Sequence, residues 1–429
     1  MRYIGIIILL VLCLTLLLFT GRMINTVKSE PASGNLENQE DINQSSNNSQ
    51  SSSTGMVYET GTEDTEESVI VYPQQWATGD GTVENPWAND CIETALANAP
   101  AGGTLFLRAG YYTLSAQVKI TKKVNIIGEG RDKTIITTAD AHGFHIDSVD
   151  YVTIKNLTID GDAQTTDGTT YRCCIAIRGN YISLENIEAK NAARYGIDTN
   201  QMNYSTFLNI YAHDNWRHGV HSGADVSGQN IHNTYLNIYA WDNGAGDGKG
   251  GGFDDRGNTT YPDEDSYNLY DNLQCWDNAG AGVSIFSQHN GAISNSSVNG
   301  NGAMGLNLWG IDNFNIYGCS AALNEGVGIR IKNSNNVNFT NVIVKNNNVS
   351  DNVWLGGIEI ESCNGTKFTS CQSYDDRETP LQRWGINITG ATDKVEFVNC
   401  KLLPNLTMAI RNIAGAVVTV ITEKMLAKF

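Results

Sequence analysis

The sequence predicts an all-β chain wound as a single right-handed parallel β-helix, and three observations carry that reading. Glycine makes up 43 of 429 residues and charged residues only 17%, a composition rich in turn formers and poor in helix formers. A Gly-apolar-polar unit recurs, with marker glycines at Gly143, Gly196, Gly219, Gly252, Gly282, Gly305, Gly328, Gly357 and Gly385. Several of these are 23 residues apart (196 to 219, 282 to 305, 305 to 328). That length fits one coil of two or three short strands with their turns. Longer spacings imply a loop inserted in that coil. Cys174 fills the marker position between Gly143 and Gly196. Leucine-rich repeats share the length, but their Leu-x-x-Leu-x-Leu pattern is missing.

Three segments follow from composition. In residues 1–27, Tyr3 to Thr20 are uncharged and apolar between Arg2 and Arg22, which predicts a signal peptide or signal anchor. No small-x-small cleavage site follows, so a retained anchor is favoured. Residues 28–68 are Ser, Asn, Gln and Glu with few large apolar groups, and a disordered tether is expected. Residues 69–429 form the β-helix domain. Asp90-Cys-Ile-Glu93 has capping-box spacing and opens a short helix to about Ala99, ahead of a strand at Thr104. That helix is the expected N-terminal cap over the open end of the core. Eleven Asn-x-Ser/Thr sequons, at Asn43, Asn47, Asn156, Asn203, Asn258, Asn295, Asn338, Asn348, Asn364, Asn387 and Asn405, agree with an exported, glycosylated protein outside the cell or on its surface. Membrane contact is expected through the N-terminal segment only, and the body is expected to be a monomer.

The net charge of -18 excludes nucleic acid as a partner, because a binder needs a positive footprint on phosphate. It does not exclude an acidic polysaccharide, since a local arginine cluster or a bound cation reverses the field within one groove. Cys13 lies in the apolar run, and the other eight cysteines form no Cys-x-x-Cys pair, so zinc is not expected. Cys275 takes the place that Ala240 holds one repeat earlier, the position of a small buried apolar residue. Cys371 and Cys400 are placed to meet across turns, but a disulfide is not expected.

The side-chain period of a strand then sorts the residues. The residue after each marker glycine points inward, so those two and four after it point out. The first outward column reads His145, Ala176, Asp198, His221, Asp254, Ser284, Asn307, Arg330, Glu359, Asn387. The second reads Asp147, Arg178, Asn200, Gly223, Arg256, Phe286, Trp309, Lys332, Glu361, Thr389. A strip that mixes ionisable and aromatic groups suits a sugar chain. Two adjacent coils stand out: Arg194-Tyr195-Gly196-Ile197-Asp198, then Trp216-Arg217-His218-Gly219-Val220-His221. Stacking sets Tyr195 beside His218, and Asp198 beside His221. Arg178 falls one coil before, and Asp254, Asp255 and Arg256 one coil after.

This constellation resembles the mannuronan (alginate) C5-epimerases and related polyuronate-active enzymes of the pectate lyase-like β-helix superfamily. Tyr195-Gly-Ile-Asp198 and Arg217-His218-Gly219 match the two halves of their pattern. Thr199-Asn200 replaces the Pro-His that follows the Asp, so the family's histidine is absent, and His221 on the next coil is the candidate substitute. The resemblance implies removal of the C5 proton of a uronate by an epimerase or lyase. The carboxylate must be neutralised so that an enolate-like intermediate is tolerable, and an acid/base pair then moves the proton. The roles expected are carboxylate binding for Arg217, with Arg178 as the alternative, proton transfer for His218 and Tyr195, and orientation or binding for Asp198 and His221. Arg178, Asn200, Asp254, Arg256 and Trp309 are the expected substrate-binding residues.

Two further readings remain open at this point. Asp254-Asp255 and Arg330-Ile331-Lys332 resemble parts of the polygalacturonase-like hydrolases, whose Gly-His-Gly coil is missing here. Hydrolysis would then use carboxylates such as Asp198 and Asp254. A non-catalytic glycan-binding surface or envelope protein would also carry an anchor, a tether and sequons. The acidic insertion between Asp242 and Asp265 offers Asp247, Asp254 and Asp255 as weak Ca²⁺ ligands, without EF-hand spacing.

Overall fold

The computed structural model describes residues 68–71, 82, 92–138, 142–162, 172–223, 229–246, 248–257, 266–350, 356–405 and 407–421. All belong to one compact unit, Asp64–Phe429. The apolar run and the tether lie outside the described residues. Among the described residues no helix is long and apolar enough to cross a membrane.

Every strand pairing is parallel, and each joins one coil to the next. One sheet has twelve short strands, from Val118–Ile120 to Met408–Asn412. The rest of each coil is a pair of short strands at first (Thr104–Leu107 with Gly110–Leu114, then Asn125–Gly128 with Thr134–Thr138), one eight-residue strand from Thr153–Asp160 to Leu269–Trp276, and two shorter strands again from Ala292–Ser294. Leu269–Trp276 pairs with both Ala292–Ser294 and Ser297–Asn299, so the long strand and the split pair are one feature. The bend in the long strands falls at Asn156, Asn186, Asn209, Asn237 and Asn272, all left-handed with φ of 52 to 57°. Asparagine tolerates that conformation better than most residues. The sequon at Asn156 is therefore a turn position in its own right. Two other sequon asparagines, Asn348 and Asn387, are buried, where an oligosaccharide has no room.

The first inward column of the twelve-stranded sheet includes Phe144, Ile175, Ile197, Val220, Phe253 and Val283, all at most 1% exposed. The short helix, Ile92–Asn98, buries Ile92, Ala95 and Leu96 at the N-terminal end, as a cap requires. Ala240 and Cys275 are in register, and Cys371 and Cys400 are free thiols.

The marker glycines are needed for space rather than for φ. Gly196 has no left-handed φ, but a Cβ there would lie 2.6 Å from the carbonyl oxygen of Gly219 and 2.8 Å from Nδ2 of Asn215. That asparagine opens a buried ladder the sequence reading did not identify, running through Asn243, Asn278, Asn301, Asn324 and Asn347. Each side chain closes a turn. Asn301 Oδ1 accepts from the Asn278 backbone N–H at 3.2 Å and from its Nδ2 at 3.0 Å. Asn301→Ala is expected to destabilise the protein by about 2–6 kcal/mol, since two buried donors lose their acceptor at roughly 1–3 kcal/mol each. Urea unfolding measures this.

Candidate functional site

The strands Ile197–Asn200 and Val220–Gly223 pair in register, so Asp198 lies beside His221. Val220–Gly223 pairs with Phe253–Arg256, so His221 also lies beside Asp254. The contacts follow from this. Asp198 Oδ1 is 2.7 Å from Nδ1 of His221, and Asp254 Oδ2 is 3.6 Å from its Nε2. A carboxylate only accepts, so the Asp198 contact puts the ring hydrogen on Nδ1 and leaves Nε2 as the basic nitrogen. Arg256 Nε donates to Asp254 Oδ2 at 2.7 Å.

The residues just before the marker glycines close the other side of the cluster. Tyr195 stacks on His221 (centroids 4.6 Å apart, 10° between planes) and faces His218 at 5.6 Å. Arg217 Nη1 is 3.4 Å from the Tyr195 hydroxyl, and the Arg194 guanidinium is 5.1 Å from the Tyr195 ring centroid. The four side chains named from sequence, Tyr195, Asp198, His218 and His221, therefore form one patch. Tyr195, Asp198, His218 and Asp254 are 4%, 6%, 7% and 2% exposed. The strip is a recessed floor rather than an open face, because in-register neighbours cover one another.

His218 differs from its expected role. Its Nδ1 accepts the backbone N–H of Gly251 at 2.8 Å, which fixes the ring hydrogen on Nε2. Burial lowers its pKa to about 4, so the ring stays neutral near pH 7. A neutral imidazole held this way donates a hydrogen bond and is a poor base.

Asp255 also departs from expectation. It follows Asp254 directly, so the period of two turns it inward, and it is fully buried. The carboxyl is met by Asn230 Nδ2, by the Tyr270 hydroxyl at 2.5 Å and by Gln288 Nε2 at 3.4 Å. Burial raises its pKa to about 7. Asp254 and Asp255 thus lie on opposite faces and cannot act as an outward carboxylate pair or share a cation. Asp247 lies outside the described residues. Among the described residues no group of three or more His, Cys, Asp or Glu side chains is placed to hold a metal ion.

Farther along the strip, Trp309 is exposed beside Phe286 (6.2 Å) and Lys332 (5.0 Å). It stands three strands beyond His221, apart from the Tyr195 cluster. Arg330 Nη2 and Lys332 Nζ are paired with Glu361 at 2.9 and 2.7 Å. The Arg-Ile-Lys coil is thereby neutralised from within. On the other side of the cluster is a cleft of about 400 Å³ lined by His142, His145, Arg178, Asp198 and Asn200. The two histidines were missed as site residues. His145 already stood in the first outward column, and His142 precedes Gly143 as Tyr195 precedes Gly196.

A family model described as "right handed beta helix region" matches residues 253–402. The fold is the right-handed parallel β-helix. Among solved structures, the β-helix is similar to the A-module of the mannuronan C-5 epimerase AlgE4 of Azotobacter vinelandii, at 15% identity and a TM-score of 0.63. That likeness covers 74% of this chain and 91% of that one. The AlgE6 A-module of the same organism is similar at 14% identity and a TM-score of 0.55, over 78% of this chain and 96% of that one. The catalytic domain of a GH87 alpha-1,3-glucanase is similar at 16% identity and a TM-score of 0.52, over 77% and 66%. At these identities the likeness is one of fold. No curated protein matches the sequence.

Proposed function

We propose that this β-helix is an exported enzyme that modifies a uronic-acid-containing polysaccharide by abstracting the proton at C5, as an epimerase or a lyase. The observation that carries the reading is the Tyr195–His221–Asp198 contact set with Arg217 at the Tyr195 hydroxyl. A carboxylate bound at Arg217 brings its adjacent C5–H within reach of that hydroxyl. Asp198 orients His221 through Nδ1, an arrangement that prepares Nε2 for proton transfer. Tyr195 and His221 are accordingly the acid/base pair. His218 is a neutral hydrogen-bond donor to the charge developing on the carboxylate. In this reading His221, beside Asp198 on the next coil, substitutes for the missing family histidine.

The test is incubation of the full-length chain with mannuronan, guluronan, polygalacturonate and glucuronan, followed by product analysis. C5 chemistry gives either inverted residues in chains of unchanged length or shorter chains with unsaturated ends. New reducing ends without unsaturation would instead support hydrolysis by Asp198 and Asp254. Binding with no change in the polymer would support a non-catalytic surface protein.

A further inference from the structure

We infer that the cleft beside Tyr195 is a second carboxylate subsite centred on Arg178, which suits the protein to two consecutive uronate residues. The inference rests on the uronate reading above and extends it to the neighbouring sugar.

Charge pairing on the strip singles out Arg178. Lys119 is 2.6 Å from Asp147, Arg256 2.7 Å from Asp254, Arg330 2.9 Å and Lys332 2.7 Å from Glu361. Arg411 donates to Asn387 and lies over Trp384. Arg178 is exposed and makes no ion pair or hydrogen bond among the described residues. Its in-register neighbour is Asp147, which is engaged by Lys119. A chain of net charge -18 has carboxylates in excess, yet among the described residues this guanidinium in the wall of a cleft has none.

The other cleft residues complete a receptor for an anion. His142 Nδ1 accepts the Cys173 backbone N–H at 3.0 Å. His145 Nδ1 lies 2.7 Å from the Gln117 amide nitrogen, which can only donate. Both neutral rings therefore carry their hydrogen on Nε2, and burial lowers both pKa values. Two N–H donors alone would serve sugar hydroxyls equally well. The unpaired guanidinium decides for a carboxylate, which it binds by charge-assisted, bidentate hydrogen bonds. Asp198 borders both the cleft and His221, so the two subsites share a wall. Arg178 stands on the coil before Tyr195, about 4.8 Å away along the axis and several residues across the sheet from it.

The test is calorimetric titration of the full-length chain carrying Tyr195→Phe, which keeps the ligand intact. The probes are mannuronate and galacturonate tetramers and their methyl esters. The inference expects at least one charged tetramer to bind more tightly than its ester. Arg178→Ala should weaken that tetramer at least tenfold and leave the ester unchanged, and Arg178→Lys should restore part of the loss. No preference for a charged form overturns the inference, as does an Arg178→Ala variant that binds both forms as before or loses both alike. The side chain is exposed, so folding is not at risk. These titrations read binding, not turnover. An Arg178-dependent preference in a chain that leaves polyuronates unaltered upholds the subsite and refutes C5 chemistry. Turnover with no Arg178 dependence in binding does the reverse.

Discussion

Tyr195→Phe is expected to lower polyuronate turnover by about 10²–10⁴-fold, the usual contribution of a positioned proton-transfer group, with the fold intact. Phenylalanine keeps the ring that stacks on His221 and faces His218. It loses only the hydroxyl 3.4 Å from Arg217. His221→Ala should cause a loss of similar size by removing the partner that Asp198 orients. His218→Ala should also abolish measurable turnover, through loss of a hydrogen-bond donor to developing charge. Initial rates on the preferred polymer, beside unchanged melting temperatures for Tyr195→Phe, check this. Full activity in Tyr195→Phe and His218→Ala would remove the proposed chemistry from this patch.

Asp255→Ala is expected to cost about 3 kcal/mol or more, because the buried donors on Asn230, Tyr270 and Gln288 lose their shared acceptor at roughly 1–3 kcal/mol each. The pH dependence has a definite sign. Folding raises this carboxyl from 3.8 to about 7, so the native state holds a proton that the unfolded chain releases. The stabilisation is present below the unfolded pKa and is lost as pH rises through the folded one. A shift of this size corresponds to roughly 4 kcal/mol across that window. Asp255→Asn copies the protonated carboxyl. Relative to the natural chain, its melting temperature should fall less between pH 4 and pH 7. Parallel pH profiles for the two proteins would show that Asp255 does not titrate in this way.

The columns at the centre of the site were legible because three regularities of the chain coincide. Marker glycines fix the phase, a strand alternates with period two, and in-register parallel pairing puts equal phases side by side. Those rules alone place Asp198 beside His221 and Tyr195 beside His218. The same rule of two also separates Asp254 from Asp255, so an outward carboxylate pair contradicted the periodicity that defined the strip. The inward positions three after the marker glycines are not all apolar, for Thr199, Ser222 and Asp255 follow one another in register beneath the site, with a hydrogen bond of 3.1 Å from Thr199 to Ser222. Their partners Asn230, Tyr235 and Tyr270 come from turns and the opposite sheet, and no local pattern announces such a meeting. The tautomer of His218 was illegible for a related reason. It depends on a backbone N–H at Gly251, brought in by the coil after a long insertion. His142 and His145 were within reach, because both occupy columns already drawn.

The most direct test of C5 chemistry is proton NMR of a polyuronate incubated with the full-length chain in D₂O. The account predicts loss of the H-5 signal through exchange with solvent, with deuterium retained at C5 in an epimerised product or a 4,5-double bond in a lyase product. Polymer that binds or shortens while every H-5 remains in place would contradict it.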